Sequence, residues 1–185
     1  MDRRQFNLGL LGLGAASALP LGLAGCAGIQ PGNTATVTGI DTHAHVFHRQ
    51  LPFVPNRRYT PDYDALPADY LRMLDSNGMS HGVIVPISIL GTNNDYTLEV
   101  IKQSKGRLRG LAVIDPAKDI GKLDALDAGG IVGIRLNMIG KPVEDMRSSV
   151  WRELIATCRR LDWQIEVYDD AARLAQTVTP LVDQG

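Results

Sequence analysis

The stretch GIDTHAHVF, residues 39–47, runs from an apolar start into two histidines separated by one alanine. Under the two-residue period of a β-strand, Asp41, His43 and His45 share one face and Ile40, Thr42 and Ala44 the other. Alternate positions stand two rises of about 3.3 Å apart, so both imidazoles can reach one divalent ion. A catalytic zinc site wants a third protein ligand and an open position, which the pair alone does not supply. The two histidines therefore read as a metal site, as substrate-binding groups or as ordinary side chains.

Four further apolar runs read as strands: residues 82–88, 108–115, 131–137 and 164–168. Helical patterns lie between them. PADYLRMLDSNG opens on Pro67 and stops at Gly78. NDYTLEVIKQSKG has Asn94 or Asp95 as its cap and Gly106 as its stop. A shorter helix ends at Gly129–Gly130, and a last one starts near Asp170. Residues 148–162 form the best-patterned helix, with Trp151, Leu154, Ile155, Cys158 and Leu161 on one stripe. Alternating strands and helices predict an α/β fold with a parallel sheet. An open doubly wound sheet and a (β/α)8 barrel both begin this way. No glycine-rich phosphate loop follows the first strand, so a nucleotide-binding open sheet lacks its signature.

The strand ends carry polar groups. Ser88 ends the second run and Asp115 the third. In the fourth, Gly133, Arg135 and Asn137 share a face; in the fifth, Glu166 and Tyr168 do. Polar residues at the C-terminal tips of consecutive parallel strands mark the rim where barrel enzymes hold ligands. Asp115, before Pro116, reads as a turn organiser. His81 stands at the opposite end of its strand and reads as structural, and His48 lies in the loop past the first motif. Cys158 reads as a small buried hydrophobe.

The first 25 residues read as an export signal: Arg3 and Arg4, then an apolar, glycine-broken segment. DRRQF resembles a twin-arginine signal, and LAGC, residues 23–26, resembles a bacterial lipobox. That resemblance implies cleavage before Cys26 and a lipid on its sulfur. A lipidated Cys26 would leave Cys158 without a disulfide partner, since the chain has two cysteines. Residues 26–38 then form a tether and residues 39–185 the folded domain. The formal net charge of -1 gives no basic surface for nucleic acid.

IDTHAHVF, HGVIVPISILGTNN, RLRGLAVIDP, GIVGIRLNMIG and LDWQIEVYDD together resemble the amidohydrolase superfamily, in its amidohydrolase-related branch that includes 2-pyrone-4,6-dicarboxylate hydrolases. The resemblance runs from Gly39 to the C-terminus and implies the N-terminal portion of a (β/α)8 TIM barrel, with about five β/α units. It implies a hydrolase that attacks the carbonyl of a lactone or other carboxylated cyclic compound with water. His43 and His45 match first-strand histidines that bind zinc in metal-dependent members and face substrate, with no required metal, in the lactonases. Arg135 matches an arginine that pairs with a substrate carboxylate. Ser88 and Tyr168 match residues lining the same pocket. Tyr168 stands where metal-dependent relatives tend to place a histidine ligand. Val132 stands where the lactonases carry another arginine, so the substrate itself stays open.

A (β/α)8 barrel typically takes about 250 residues, and from Cys26 onward the chain has 185 - 25 = 160. The resemblance implies later strands bearing a further histidine and an aspartate general base, which would lie beyond Gly185. No catalytic base is therefore identifiable in the sequence, and enzyme activity of this chain stays open. The expectation is an exported, periplasmic or lipid-anchored hydrolase whose later strands lie outside this sequence; the alternatives are a non-catalytic or inactive truncated lipoprotein fragment that binds a small carboxylate, and a zinc-dependent amidohydrolase or decarboxylase relative. Oligomeric state is not legible.

Overall fold

A computed structural model describes residues 36–184. The signal, Cys26 and most of the tether lie outside the described residues. Five parallel strands carry the chain: β1 (Ile40–Ala44), β2 (His81–Ile84), β3 (Leu108–Ala112), β4 (Ile131–Asn137) and β5 (Gln164–Tyr168). They pair in chain order, β1-β2-β3-β4-β5. A doubly wound sheet reverses direction partway through its strand order. Strictly sequential pairing makes this the first half of a TIM barrel and removes the open-sheet alternative.

Helices follow each strand. α1 (Pro67–Ser76) starts on its proline and stops where Gly78 turns left-handed at φ 66°. α2 (Asp95–Gln103) follows β2, and a Ser88–Leu90 3-10 turn intervenes. After β3 come α3 (Pro116–Asp119), a single 3-10 turn (Ile120–Lys122) and α4 (Leu123–Ala128). α5 (Ser149–Arg160) follows β4 and buries Trp151, Leu154, Ile155 and Cys158, as its stripe predicts. α6 (Leu174–Val182) starts four residues later than expected and contains Pro180. No helix among the described residues is long and apolar enough to cross a membrane.

One core fills the layer between sheet and helices. Ile84, Ile134 and Leu136 from the strands meet Leu74, Val100, Ile101, Trp151 and Leu154 from the helices. A smaller cluster of Phe47, Ile87, Ile89 and Leu90 ties the long loop after β1 to the loop after β2. Cys158 is a free, buried thiol whose burial pushes its pKa up to about 11. That fits packing and opposes nucleophilic use.

Two local expectations change and one holds. The second and third strands are shorter than the apolar runs, ending at Ile84 and Ala112. Asp115 caps α3 through a bond from Ala117 N at 3.0 Å, the turn role expected of it. Asn94 does not cap α2 with its side chain. Its Nδ2 donates to Thr92 O at 3.1 Å and Val113 O at 2.9 Å, and its Oδ1 accepts from Val113 N at 3.0 Å.

Candidate active site

The first strand breaks its own alternation. Asp41 pairs with Gly82 and Ala44 with Ile84, so three residues on β1 span two on β2. This irregularity is a β-bulge. A Cβ at Gly82 would collide with Tyr70 Oη from α1, which places that face of the sheet against the helices. Parallel register puts Asp41 on the same side as Gly82. Asp41 therefore leaves the face expected for it and turns toward the helix layer, while Ala44 packs on the outer core. Its Oδ1 accepts the His43 backbone N–H at 3.1 Å, satisfying a donor inside the bulge. Tyr70 is held above its ordinary pKa, first by burial and then by the nearby Asp41 charge.

His43 and His45 stay together, their rings edge to face with centroids 5.1 Å apart. His45 Nδ1 lies 2.6 Å from Val85 O. A carbonyl only accepts, so this nitrogen carries the hydrogen and donates, and the neutral ring keeps its lone pair at Nε2. Burial lowers the pKa of His45, with Arg135 and His43 adding to the effect against the opposing pull of Val85 O and Glu166.

His43 Nδ1 lies 3.2 Å from Glu166 Oε2 on β5. The first strand of the sheet thus touches the last across the concave face. Glu166 Oε1 lies 3.6 Å from Arg135 Nε on β4. Arg135 and Glu166 are register partners, as are Asn137 and Tyr168. Arg135 Nε donates to Asn137 Oδ1 at 2.8 Å. Its guanidinium carbon stands 5.1 Å from the centre of the Tyr168 ring, within cation–π reach. The arginine side chain is 8% exposed, and its buried Nη1 has no hydrogen-bond partner. A buried donor left unmatched costs stability unless something supplies an acceptor.

Four of the expected site residues, His43, His45, Arg135 and Tyr168, therefore meet in one group. Ser88 is not at a strand tip: it opens the 3-10 turn, where its carbonyl accepts from Gly91 N at 3.4 Å. The strand run that placed it at a tip ends four residues earlier. His81 bonds Ser80 Oγ at the far end of β2, and His48 stacks edge-on against Tyr96. Glu166 is the group that sequence reasoning passed over. The strand period had placed it on the Tyr168 face, but a period shows no partner across the sheet.

Among the described residues, no three histidine, cysteine, aspartate or glutamate side chains gather at metal-binding spacing. Asp41, the third acidic or imidazole group of the first motif, faces the helices. Glu166, beside His43, lies against a fixed guanidinium charge. The described residues by themselves do not make up the ligand set of a divalent ion.

A 2-pyrone-4,6-dicarboxylate hydrolase from Comamonas testosteroni is 29% identical over 139 residues, covering 74% of this chain and 45% of its own length. A 4-sulfomuconolactone hydrolase from Hydrogenophaga intermedia is 27% identical over 154 residues, covering 77% and 50%. The chain thus spans about half the length of the curated relatives it matches. A crystal structure of a probable 2-pyrone-4,6-dicarboxylic acid hydrolase from Acinetobacter baumannii, with citric acid bound, superposes with a TM-score of 0.75 at 37% identity, covering 78% of this chain and 54% of that one. The amidohydrolase family model matches residues 40–184, from the first residue of β1 through the end of α6. With sequence match and half-barrel in agreement over that whole span, the chain belongs to the amidohydrolase family.

Proposed function

We propose that this chain serves a hydrolase that opens a lactone or other carboxylated cyclic compound by water attack on a carbonyl. The observation that carries the reading is Arg135: a guanidinium almost wholly buried at the tip of β4, with a donor nitrogen still unmatched. A substrate carboxylate supplies the missing acceptor, and a planar guanidinium suits its two oxygens. The citric acid in the Acinetobacter structure and the dicarboxylate and lactone in the relatives' names support that substrate class.

In this reading Arg135 binds the carboxylate and Tyr168 flanks it. Neutral His45 presents Nε2 as an acceptor to a substrate hydroxyl or to water. Ser88 is left as a loop residue that a bound ligand could reach. Amidohydrolases often use a divalent metal; metal analysis of the wild type and of His43→Ala tests the zinc reading of His43 and His45. The deciding experiment titrates 2-pyrone-4,6-dicarboxylate and citrate into the chain by calorimetry, then follows lactone opening by absorbance. Binding that weakens at least about tenfold in Arg135→Met supports the site. Undiminished binding in that variant sinks it, and turnover separates a hydrolase from a binding protein.

We further propose export by the twin-arginine route and a lipid on Cys26, which anchors the domain of residues 39–185 to a membrane through the 26–38 tether. Only the sequence supports this. Labelling with an alkynyl fatty acid in the bacterial host should mark the wild type and not Cys26→Ser. Equal labelling of both would remove the anchor.

A further inference from the structure

We infer that Glu166 is the positioning residue of this site: one carboxylate fixes His43 from β1 and Arg135 from β4 at once. Its two oxygens divide the task. Oε2 stands 3.2 Å from His43 Nδ1, and Oε1 stands 3.6 Å from Arg135 Nε. Arg135 Nε already spends its directed bond on Asn137. Glu166 therefore acts on the guanidinium through charge and places an acceptor oxygen within hydrogen-bonding distance of the imidazole nitrogen. Its side chain is 26% exposed, so an unpaired carboxylate there would be costly.

The chemical consequence lies on His43. An ionised carboxylate only accepts, so Nδ1 carries the hydrogen and Nε2 keeps the lone pair. A free neutral imidazole prefers the opposite arrangement, with the hydrogen on Nε2. Val85 O imposes the same choice on His45 by a different route. Two adjacent rings from one strand thus both carry acceptor lone pairs at Nε2, one set by backbone and the other by Glu166. The partner carboxylate fixes a tautomer, the role such groups play behind functional histidines generally. Glu166 needs no contact with substrate to do this. The inference rests on the proposed ligand site for its use, and its test is independent of ligand.

The test is nitrogen-15 NMR of the histidine side chains in the whole chain, at a pH about two units above the ordinary imidazole value. In the wild type, both His43 and His45 should show hydrogen on Nδ1. In Glu166→Ala, His43 should shift toward hydrogen on Nε2 while His45 keeps its form. Glu166→Gln, whose carbonyl can still accept, should restore part of the His43 signal. A wild-type His43 with hydrogen on Nε2 overturns the inference, whatever the variants do. So does a Glu166→Ala protein in which the His43 tautomer is unchanged. Failure of dicarboxylate to bind would sink the hydrolase reading and leave the tautomer result standing.

Discussion

Asn94 and Arg135 are equally buried, each 8% exposed, and both lie near the C-terminal side of the sheet. Their hydrogen bonding separates them. Asn94 spends donors and acceptor on the backbone of Thr92 and Val113, closing the turn before α2 onto the end of β3. Arg135 spends Nε on Asn137 and leaves Nη1 unmatched inside the protein. A buried polar group whose bonds are closed by its own fold is structural. One that keeps a donor in reserve beside other functional groups is waiting for an acceptor.

The largest expected effect tests the reserve. Arg135→Met should lower affinity for a dicarboxylate by about 2–5 kcal/mol in calorimetry. Its urea unfolding midpoint should fall less than its affinity, because the cost of leaving Glu166 and Asn137 without this partner is partly offset by removal of an unsatisfied donor. Asn94→Leu should do the reverse. It strands the Val113 amide and carbonyl, and should cost about 2–3 kcal/mol of stability in the same unfolding experiment. Ligand affinity per folded molecule should not change. If the two variants show the same profile, the distinction between closed and reserved groups fails.

Tyr70 sharpens the comparison, since its buried hydroxyl also lacks a hydrogen bond of ordinary geometry yet faces the helix layer. Its place depends on the missing side chain of Gly82. Gly82→Ala should cost about 1–3 kcal/mol through overpacking. Adding Tyr70→Phe, which removes the colliding oxygen, should recover part of that loss in thermal unfolding. No recovery would mean that the strand backbone, rather than the phenol, resists the extra carbon.

The smallest effect is on pH dependence. Burial lowers the pKa of His45, and burial together with Arg107 and Arg109 lowers that of His81. The unfolded chain then binds protons that the folded chain refuses. Stability is fully present above the ordinary imidazole value of about 6.5 and declines as pH falls from there toward the folded values. His81→Gln should flatten part of the decline without touching the ligand site. An unchanged slope would assign the dependence to other groups.

Much of this was readable along the chain. Pro67 and Gly78 bracket α1, the apolar stripe defines α5, and the β4 period correctly sets Arg135 and Asn137 on one face. The errors share a cause. The apolar run puts Ser88 at a strand tip, because a hydrophobic run does not show where ladder bonding stops. The strand period sets Asp41 beside the histidines because a period of two assumes an unbroken ladder, and the bulge adds a residue. Asn94 does stand at the N-cap position of α2, but its side chain bonds across a loop to Val113, just past the end of β3, a partner no local pattern shows.

By itself the sequence determined the order of strands and helices, the α/β class and the residue types at the rim. These depend on periodicity, turn chemistry and composition, all of which act over a few residues. Only the tertiary structure decided that His43 meets Glu166. Those residues sit on the first and last strands of the sheet, 123 positions apart. They meet because a twisted parallel sheet curls as it adds strands, bringing its two outer members to face each other. That curvature is a property of the assembled sheet, and no local stretch of chain encodes it.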